Sequence, residues 1–135
     1  MTAYTNRYRV DASFEETIDL VTEALGEEGF GVLADIDMQA AFETKLDEEF
    51  RQYRILGACN PAFAFDALEE EHELGALLPC NVVVYEDDED GTGVSIVDPQ
   101  TMVRLTDNDS LEPIVEEVDA RLTAAMDGVA EATAV

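Results

Sequence analysis

The sequence is poor in several residue types: it has no tryptophan, one lysine, one histidine and two cysteines among its 135 residues. Two cysteines cannot form the dense disulfide framework of a small secreted domain, so we expect a reducing, cytoplasmic environment. His72 would be the single base available to a serine triad, which argues against that class of enzyme. A four-ligand Cys/His zinc site cannot be completed within one copy, although a dimer could supply further ligands.

The sequence also lacks the segments and motifs that identify membrane proteins, secreted proteins and several classes of enzyme. No apolar run reaches the ~18 residues that cross a bilayer, and the polar amino terminus MTAYTNRYRVD predicts no secretory signal. The sequence contains no G-x-x-x-x-G-K-[ST] loop, no G-x-S-x-G elbow and no H-E-x-x-H helix. We therefore predict a cytoplasmic protein without a membrane partner, and we favour a non-enzymatic role over catalysis.

Positive charge is scarce, because 7 basic residues face 32 acidic ones and the net charge is -25. The acidic residues are dispersed along the whole chain, whereas an acidic face for a basic partner would require clustered acid. Charge of this density destabilises a fold at low salt, and molar salt shortens the Debye length to ~3 Å. The composition predicts a salt-adapted, haloarchaeal-type organism. Without a basic patch, binding to nucleic acid is not expected.

The hydrophobic pattern predicts a single α+β domain over residues 1–126, followed by a frayed tail over 127–135. The element order is β-α-β-α-β-α-β-β-α, with an antiparallel hairpin near Gly91. We expect a two-layer sandwich, in which a mixed or antiparallel sheet carries helices on one face. The predicted strands are 4–10, 30–36, 50–59, 80–85 and 94–98, and the predicted helices are 14–25, 38–46, 61–71 and 110–126.

A Cys-Asn pair occurs twice, at Cys59-Asn60 and at Cys80-Asn81. The first pair lies between a strand and a helix that Pro61 opens, where the helix dipole would lower the pKa of a thiol. That position suits a nucleophile, a redox thiol or a soft-metal ligand, but it equally suits a small buried side chain at a corner. Asn60 is a predicted helix cap. Asn81 needs hydrogen-bond partners within a valine-rich strand, and both asparagines could face a pocket.

These pairs lie within blocks that resemble the domain of unknown function 302 family. The blocks are GFGVLADIDMQAAFETKL, YRILGACNPAFAFDALEEEHELGALLPCNVVVYE and VSIVDP, and the resemblance extends from Val10 to Leu122. It implies a small α+β domain that is TBP-like in shape and often a homodimer, and it supplies no proven catalytic residue. The family signature maps onto Gly57, Cys59, Asn60, Pro61, Leu78, Pro79, Cys80 and Asn81.

Three functions fit this sequence. We favour a homodimeric, non-enzymatic binding domain that holds a small-molecule ligand in a pocket near Cys59, Asn60, Cys80 and Asn81. The alternative is a thiol-based redox or sulfur-handling protein, in which Cys59 reacts and Cys80 resolves. In the third hypothesis the Cys-Asn pairs have only a structural role and stabilise the turns at the ends of two strands. No catalytic residue and no metal site is predicted, and the sequence specifies no cofactor.

Overall fold

The computed structural model describes residues 4–88 and 91–133, with side chains described up to residue 130. Its strands are β1 (Thr5–Val10), β2 (Gly31–Asp37), β3 (Tyr53–Cys59), β4 (Cys80–Glu86) and β5 (Thr92–Val97). They form one sheet in the order β1-β5-β4-β3-β2, in which every neighbouring pair is antiparallel. The predicted α+β class is confirmed, and of the two sheet types considered the antiparallel one is present.

The α-helices are α1 (Phe14–Glu27), α2 (Met38–Leu46), α3 (Pro61–Glu70), α4 (Gln100–Thr106) and α5 (Glu112–Thr133). Three of them begin directly after a capping residue, whose side-chain oxygen accepts a hydrogen bond from a free backbone amide of the first turn. Ser13 accepts from Glu16 at 3.2 Å. Asp37 accepts from the amide of Ala40 at 3.0 Å. Short 3₁₀ segments, His72–Leu77 and Asp109–Leu111, precede β4 and α5.

The core lies between one face of the sheet and the helices. Val82, Val84 and Val94 project from the central strands and are completely buried. From the helix layer, Val21 and Leu25 of α1 are equally buried. Burial of this much aliphatic surface supplies the main stabilisation of such a domain, at about 25 cal/mol per Å² of apolar area.

Helix α4 was not predicted, so the expected element order lacks one helix. The sequence shows a loop signal at Asp98-Pro99, and no side chain caps the helix at Pro99. The turn is instead stabilised by Asp98, whose carboxylate accepts from the amide of Gln100 at 3.0 Å. Met102, which is only 5% exposed, anchors the helix in the core.

Two further expectations differ from the structure. Residues 127–133 continue α5 to Thr133 and do not form a frayed tail, because Val129 is 2% exposed and is part of the core. The helical spacing of Met38, Ala41, Phe42 and Leu46 predicts an inward face for helix α2, yet none of its residues is buried. It packs beside β3, where the ring of its Phe42 contacts Phe50 and Phe50 in turn contacts Tyr53. In the β4–β5 hairpin, Glu89 and Asp90 lie outside the described residues.

Candidate functional site

The two Cys-Asn pairs lie side by side at one end of the sheet. Strands β3 and β4 are antiparallel neighbours, and Ala58 lies opposite Cys80 in their register. Cys59 is the last residue of β3, and Cys80 is the first residue of β4. Because β3 ends where β4 begins, the two Cys-Asn pairs are neighbours in the fold although about twenty residues separate them in the sequence.

An apolar cavity lies at this end of the sheet, beneath the helices. The cavity has a volume of about 40 Å³, and its lining is almost entirely apolar. The volume exceeds the ~10–15 Å³ that one water molecule needs, and it is well below the ~150 Å³ of a cavity that accepts benzene. The walls come from β3, β4, α3, α4 and α5, and they include Phe30, Cys59, Asn60, Phe63, Ala64, Cys80, Met102 and Val115.

Cys80 is a buried thiol on the helix-facing side of β4. Cys80 is 6% exposed and lies on the same face of β4 as the buried Val82 and Val84. Burial raises the pKa of the Cys80 thiol to about 11, and the nearby Cys59 adds to the increase. Because only the thiolate is a strong nucleophile and metal ligand, Cys80 is a neutral, inert side chain at physiological pH.

Cys59 is half-buried and occupies the junction between β3 and α3. Strand alternation places it on the face of Gly57, opposite the face that carries Cys80. Both cysteines nevertheless border the cavity, because the chain turns away from the sheet directly after Cys59. Both are free thiols, not a disulfide.

Asn60 borders the cavity as a structural residue. Its side-chain oxygen accepts a hydrogen bond from the amide of Phe63 at 3.4 Å, which caps α3 as predicted. Its amide nitrogen lies only 2.9 Å from the position that a Cβ atom would occupy on Gly29. Gly29 has a φ of +86°, a conformation that favours glycine. The α1–β2 turn is thus shaped to receive Asn60.

Asn81 lies apart from the cavity. It is exposed and pairs with Gly57, and its side chain lies on the opposite side of β4 from the buried Cys80. The structure therefore brings together three of the four proposed binding residues, Cys59, Asn60 and Cys80, and leaves Asn81 on the other side. Alternation within β4 already indicated this separation, since Cys80 and Asn81 are adjacent in a strand.

The residues that close the cavity from the helix side were not predicted from the sequence. Phe63 forms part of the wall, and the guanidinium of Arg121 stacks over its ring at 5.2 Å from the centroid. Arg121 also donates to the backbone oxygen of Glu28 at 3.4 Å and to the carboxylate of Glu117 at 3.1 Å. The scarcity of basic residues was the one available signal, because each arginine of so acidic a chain is conspicuous.

Two features of other protein classes are absent from the described part of the chain. Among residues 4–88 and 91–133, no group of three or more His, Cys, Asp or Glu side chains is arranged to hold a metal ion. Over the same residues, no helix combines the length and the apolar character needed to cross a membrane.

Comparison with known proteins is consistent with this fold. The structure is similar to the crystal structure of an uncharacterized conserved DUF302 protein from Bacillus stearothermophilus, with a TM-score of 0.87 and 29% sequence identity. That similarity covers 95% of this chain and 99% of the other. No curated protein matches the sequence. The family model for the domain of unknown function DUF302 matches residues 6–129, and the chain belongs to this family.

Proposed function

We propose that this chain is a homodimeric, non-enzymatic binding domain that holds a small apolar molecule in the cavity beside Cys59 and Cys80. The observation that carries the proposal is the cavity itself, which lies where both Cys-Asn pairs begin and is bordered by Asn60. Ligand sites in proteins are typically concave, mostly apolar and furnished with a few polar groups. Here the polar groups are the two thiols and one amide.

The size and lining of the cavity limit its ligand to a few non-hydrogen atoms with little polarity. A charged ligand is disfavoured, because the cavity wall offers no compensating charge among its described residues and burial of an unpaired charge is costly. The thiols add polarizable sulfur atoms to the wall, which favour contact with soft, polarizable groups. A longer ligand would require α3 to move outward from α5.

The alternative thiol-redox function is less well supported. A resolving cysteine must form a thiolate to attack a disulfide, and burial raises the pKa of Cys80 to about 11. At neutral pH, Cys80 would therefore be almost entirely protonated. Cys59 remains the candidate for a reactive thiol, but a redox mechanism that uses Cys59 would then lack a resolving thiol among the two cysteines of the chain.

The environment of the protein forms part of the proposal. The dispersed acid and the net charge of -25 support a salt-accumulating, cytoplasmic setting. In such a setting, screening at molar salt removes most of the repulsion between surface carboxylates. The TBP-like shape that the family resemblance implies stays a prediction.

Xenon is a suitable probe of the cavity, since it occupies dry apolar cavities in proteins. We expect xenon to shift the amide NMR signals of residues around Cys59 and Cys80 in the wild-type protein. Ala64→Leu should abolish these shifts, because Ala64 lines the cavity and a larger side chain fills it. Ala62→Leu, an exposed position on the same helix, is the matched control. Asn81→Ala should also leave the xenon response unchanged.

Two results would contradict binding in the cavity. One is a wild-type spectrum that does not respond to xenon. The other is an equal response in Ala64→Leu and in Ala62→Leu, which would place xenon elsewhere. Rapid modification of both thiols in the folded protein at neutral pH would instead favour the redox function.

A further inference from the structure

A hollow of about 510 Å³ lies on the side of the sheet opposite the cavity described above. Tyr85 lines it and, by strand alternation, points away from the face of β4 that carries the completely buried Val84. The volume falls within the ~300–1,000 Å³ of typical small-molecule sites. Its lining includes three of the four tyrosines and two of the seven basic residues of the chain. We call it the aromatic hollow, after Tyr4, Arg7, Phe50, Arg51, Tyr53 and Tyr85.

The floor of the aromatic hollow is a platform of aromatic rings. The ring of Tyr85 lies across Gly93, where a Cβ atom would come within 2.6 Å of Cε2. Tyr53, which is opposite Tyr85 in the register of β3 and β4, lies beside it with ring centroids 6.0 Å apart and an interplanar angle of 27°. The ring of Phe50 continues this surface, with its centroid 5.9 Å from that of Tyr53. Both tyrosines are only half-buried, so the ring of a ligand can stack on them.

Hydrogen-bond donors lie at the rim of the aromatic hollow. Nη2 of Arg7 donates to the hydroxyl of Tyr85 at 3.3 Å, so this guanidinium lies at the end of the Tyr85 ring. Arg51 contributes the second guanidinium, and its Nη1 donates to the backbone oxygen of Glu86 at 3.0 Å. Each guanidinium has five N–H groups, which is more than these contacts use. Among the described residues no carboxylate lines the hollow, although 32 of the 135 residues are acidic.

Two carboxylates lie close to these arginines but outside the lining of the hollow. Asp88 pairs with Arg51 at 2.7 Å, and the charge of Asp87 acts on Arg7. The side chain of Asp88 is 83% exposed, and surface ion pairs of this kind are weak. Both acids follow the end of β4, whereas Arg7 lies within β1. A ligand anion can therefore bind Arg7 without breaking a buried ion pair.

We propose that the aromatic hollow binds a planar aromatic carboxylate, whose ring stacks on Tyr85 and Tyr53 and whose carboxylate accepts hydrogen bonds from Arg7. This site is separate from the apolar cavity and goes beyond the proposed function. Stacked tyrosines favour a planar ring, and a guanidinium matches a carboxylate in both geometry and charge. A cationic ligand would be repelled by the two arginines, and an aliphatic ligand would use neither the rings nor the donors.

The width of the aromatic hollow sets the size of this ligand. Strands β5 and β4 separate β1 from β3, so at ~4.8 Å per step the distance from β1 to β3 is roughly 14 Å. Arg7 lies on β1 and Tyr53 lies on β3. One aromatic ring or two fused rings with a carboxylate at one end fit within this distance.

The net charge of -25 would repel an anionic ligand at long range. Molar salt shortens the Debye length to ~3 Å and removes most of that repulsion. A carboxylate in direct contact with Arg7, above the half-buried ring of Tyr85, is screened much less. We therefore expect binding in the salt-rich setting that the composition supports, and weaker binding at low salt.

Binding of 2-naphthoate in molar potassium chloride tests the proposal. The chain has no tryptophan, so fluorescence anisotropy excited beyond the absorption of tyrosine reports on the probe alone. We expect Arg7→Gln to raise the dissociation constant on the order of tenfold or more. Lys45→Gln, which removes the same charge from exposed α2 surface, should leave it unchanged. The neutral 2-naphthamide should bind wild-type protein on the order of fivefold more weakly than 2-naphthoate.

The stacking contact is tested at Tyr53. Tyr53→Leu should raise the dissociation constant of 2-naphthoate on the order of fivefold, and Tyr53→Phe, which keeps the ring, should preserve binding. Circular dichroism checks that each variant folds, and the comparison of the two probes on wild-type protein needs no variant. Ala64→Leu, which fills the apolar cavity, should leave 2-naphthoate binding unchanged.

Three results would overturn the proposal. The first is no saturable binding of 2-naphthoate at millimolar concentration, and the second is equal affinity for 2-naphthoate and 2-naphthamide. The third is an equal loss in Arg7→Gln and Lys45→Gln, which would indicate a general effect of charge. The xenon experiment on the apolar cavity is independent of all three, so failure of one site is distinguishable from failure of the other.

Discussion

The phenol ring of Tyr85 lies across the backbone of Gly93, and its hydroxyl group accepts a hydrogen bond from the guanidinium of Arg7 at 3.3 Å. One side chain of β4 thereby spans β5 and reaches β1. The absence of a side chain at position 93 is what allows the ring to lie flat on the sheet. Tyr85 in turn provides the surface against which Tyr53 stacks.

Gly93→Ala should therefore displace the ring of Tyr85. A methyl group at this position would come within 2.8 Å of the tyrosine oxygen, so the ring must move and lose its contact with Arg7. We expect a loss of about 1–3 kcal/mol in the free energy of unfolding, measured by urea denaturation at fixed salt. Tyr85→Ala should largely remove this sensitivity, because no ring then remains to be displaced. Equal effects of Gly93→Ala in both backgrounds would refute the coupling.

Two buried threonines should respond in opposite ways to replacement by valine. Thr17 is completely buried, and its hydroxyl has no hydrogen-bond partner within the described residues. Thr17→Val should be neutral or stabilise by up to ~1 kcal/mol, since it removes an unsatisfied polar group without changing the shape. Thr92 donates to the backbone oxygen of Ala12 at 2.8 Å, so Thr92→Val should cost about 1 kcal/mol. Thermal and urea unfolding of the matched pair will measure both effects.

The raised pKa of Cys80 predicts a loss of stability at alkaline pH. An unfolded thiol ionises near pH ~8.5. In the folded state the proton stays until pH reaches about 11. Between these values the unfolded state binds fewer protons than the folded state, so the free energy of unfolding decreases as pH rises. By pH ~11 the decrease due to Cys80 should be roughly 3 kcal/mol, and Cys80→Ala should remove it.

Thiol modification followed by mass spectrometry tests the same property at neutral pH. Cys80 should stay unmodified until the protein unfolds, because it is buried and protonated. Cys59→Ala, which leaves Cys80 as the sole thiol, serves as the control for assignment. If that variant is modified rapidly in the folded state, Cys80 is not the buried, neutral thiol described above.

Asp35 and Arg54 form an ion pair through two hydrogen bonds. Nε of Arg54 donates to Oδ1 of Asp35 at 2.7 Å, and Nη2 of Arg54 donates to Oδ2 of Asp35 at 2.6 Å. These bonds lower the pKa of Asp35 below its ordinary value of 3.8. The stabilisation is present above that value and is lost as pH falls through the lowered pKa of the folded state.

A double-mutant cycle with Asp35→Asn and Arg54→Gln should give a coupling energy of about 1 kcal/mol or less, because the pair is partly exposed to solvent. The coupling should disappear in acid, where Asp35 is protonated. The Glu117–Arg121 pair, one helical turn apart, provides a single-contact comparison and should couple more weakly. A coupling that persists unchanged at low pH would show that the charge of Asp35 does not contribute.

Local signals made the helix starts and most strands predictable. Ser13, Asp37 and Asn60 each cap a helix through bonds within three residues, so the information lies in a short stretch of sequence. Helix α4 has no side-chain cap of that kind. It depends on the burial of Met102 by residues distant in the chain, and no local pattern reports such burial.

One part of the candidate site was likewise predictable from the sequence, and another part was not. Adjacent β3 and β4 bring Cys59 and Cys80 together, and the two repeated motifs indicated this region. The cavity wall also needs Met102 and Val115, which follow β5 in the chain and carry no distinguishing pattern. The separation of Asn81 from the cavity follows from alternation, whereas the existence of the cavity depends on how α3, α4 and α5 meet over the sheet.

The one-sided helix layer also has a thermodynamic consequence. A domain whose second sheet face is buried only on association has a stability that includes a mass-action term. For the proposed dimer, each tenfold dilution would then lower the apparent free energy of unfolding by about 1.4 kcal/mol per dimer. Its denaturation midpoint would move with protein concentration, which urea denaturation at several protein concentrations measures.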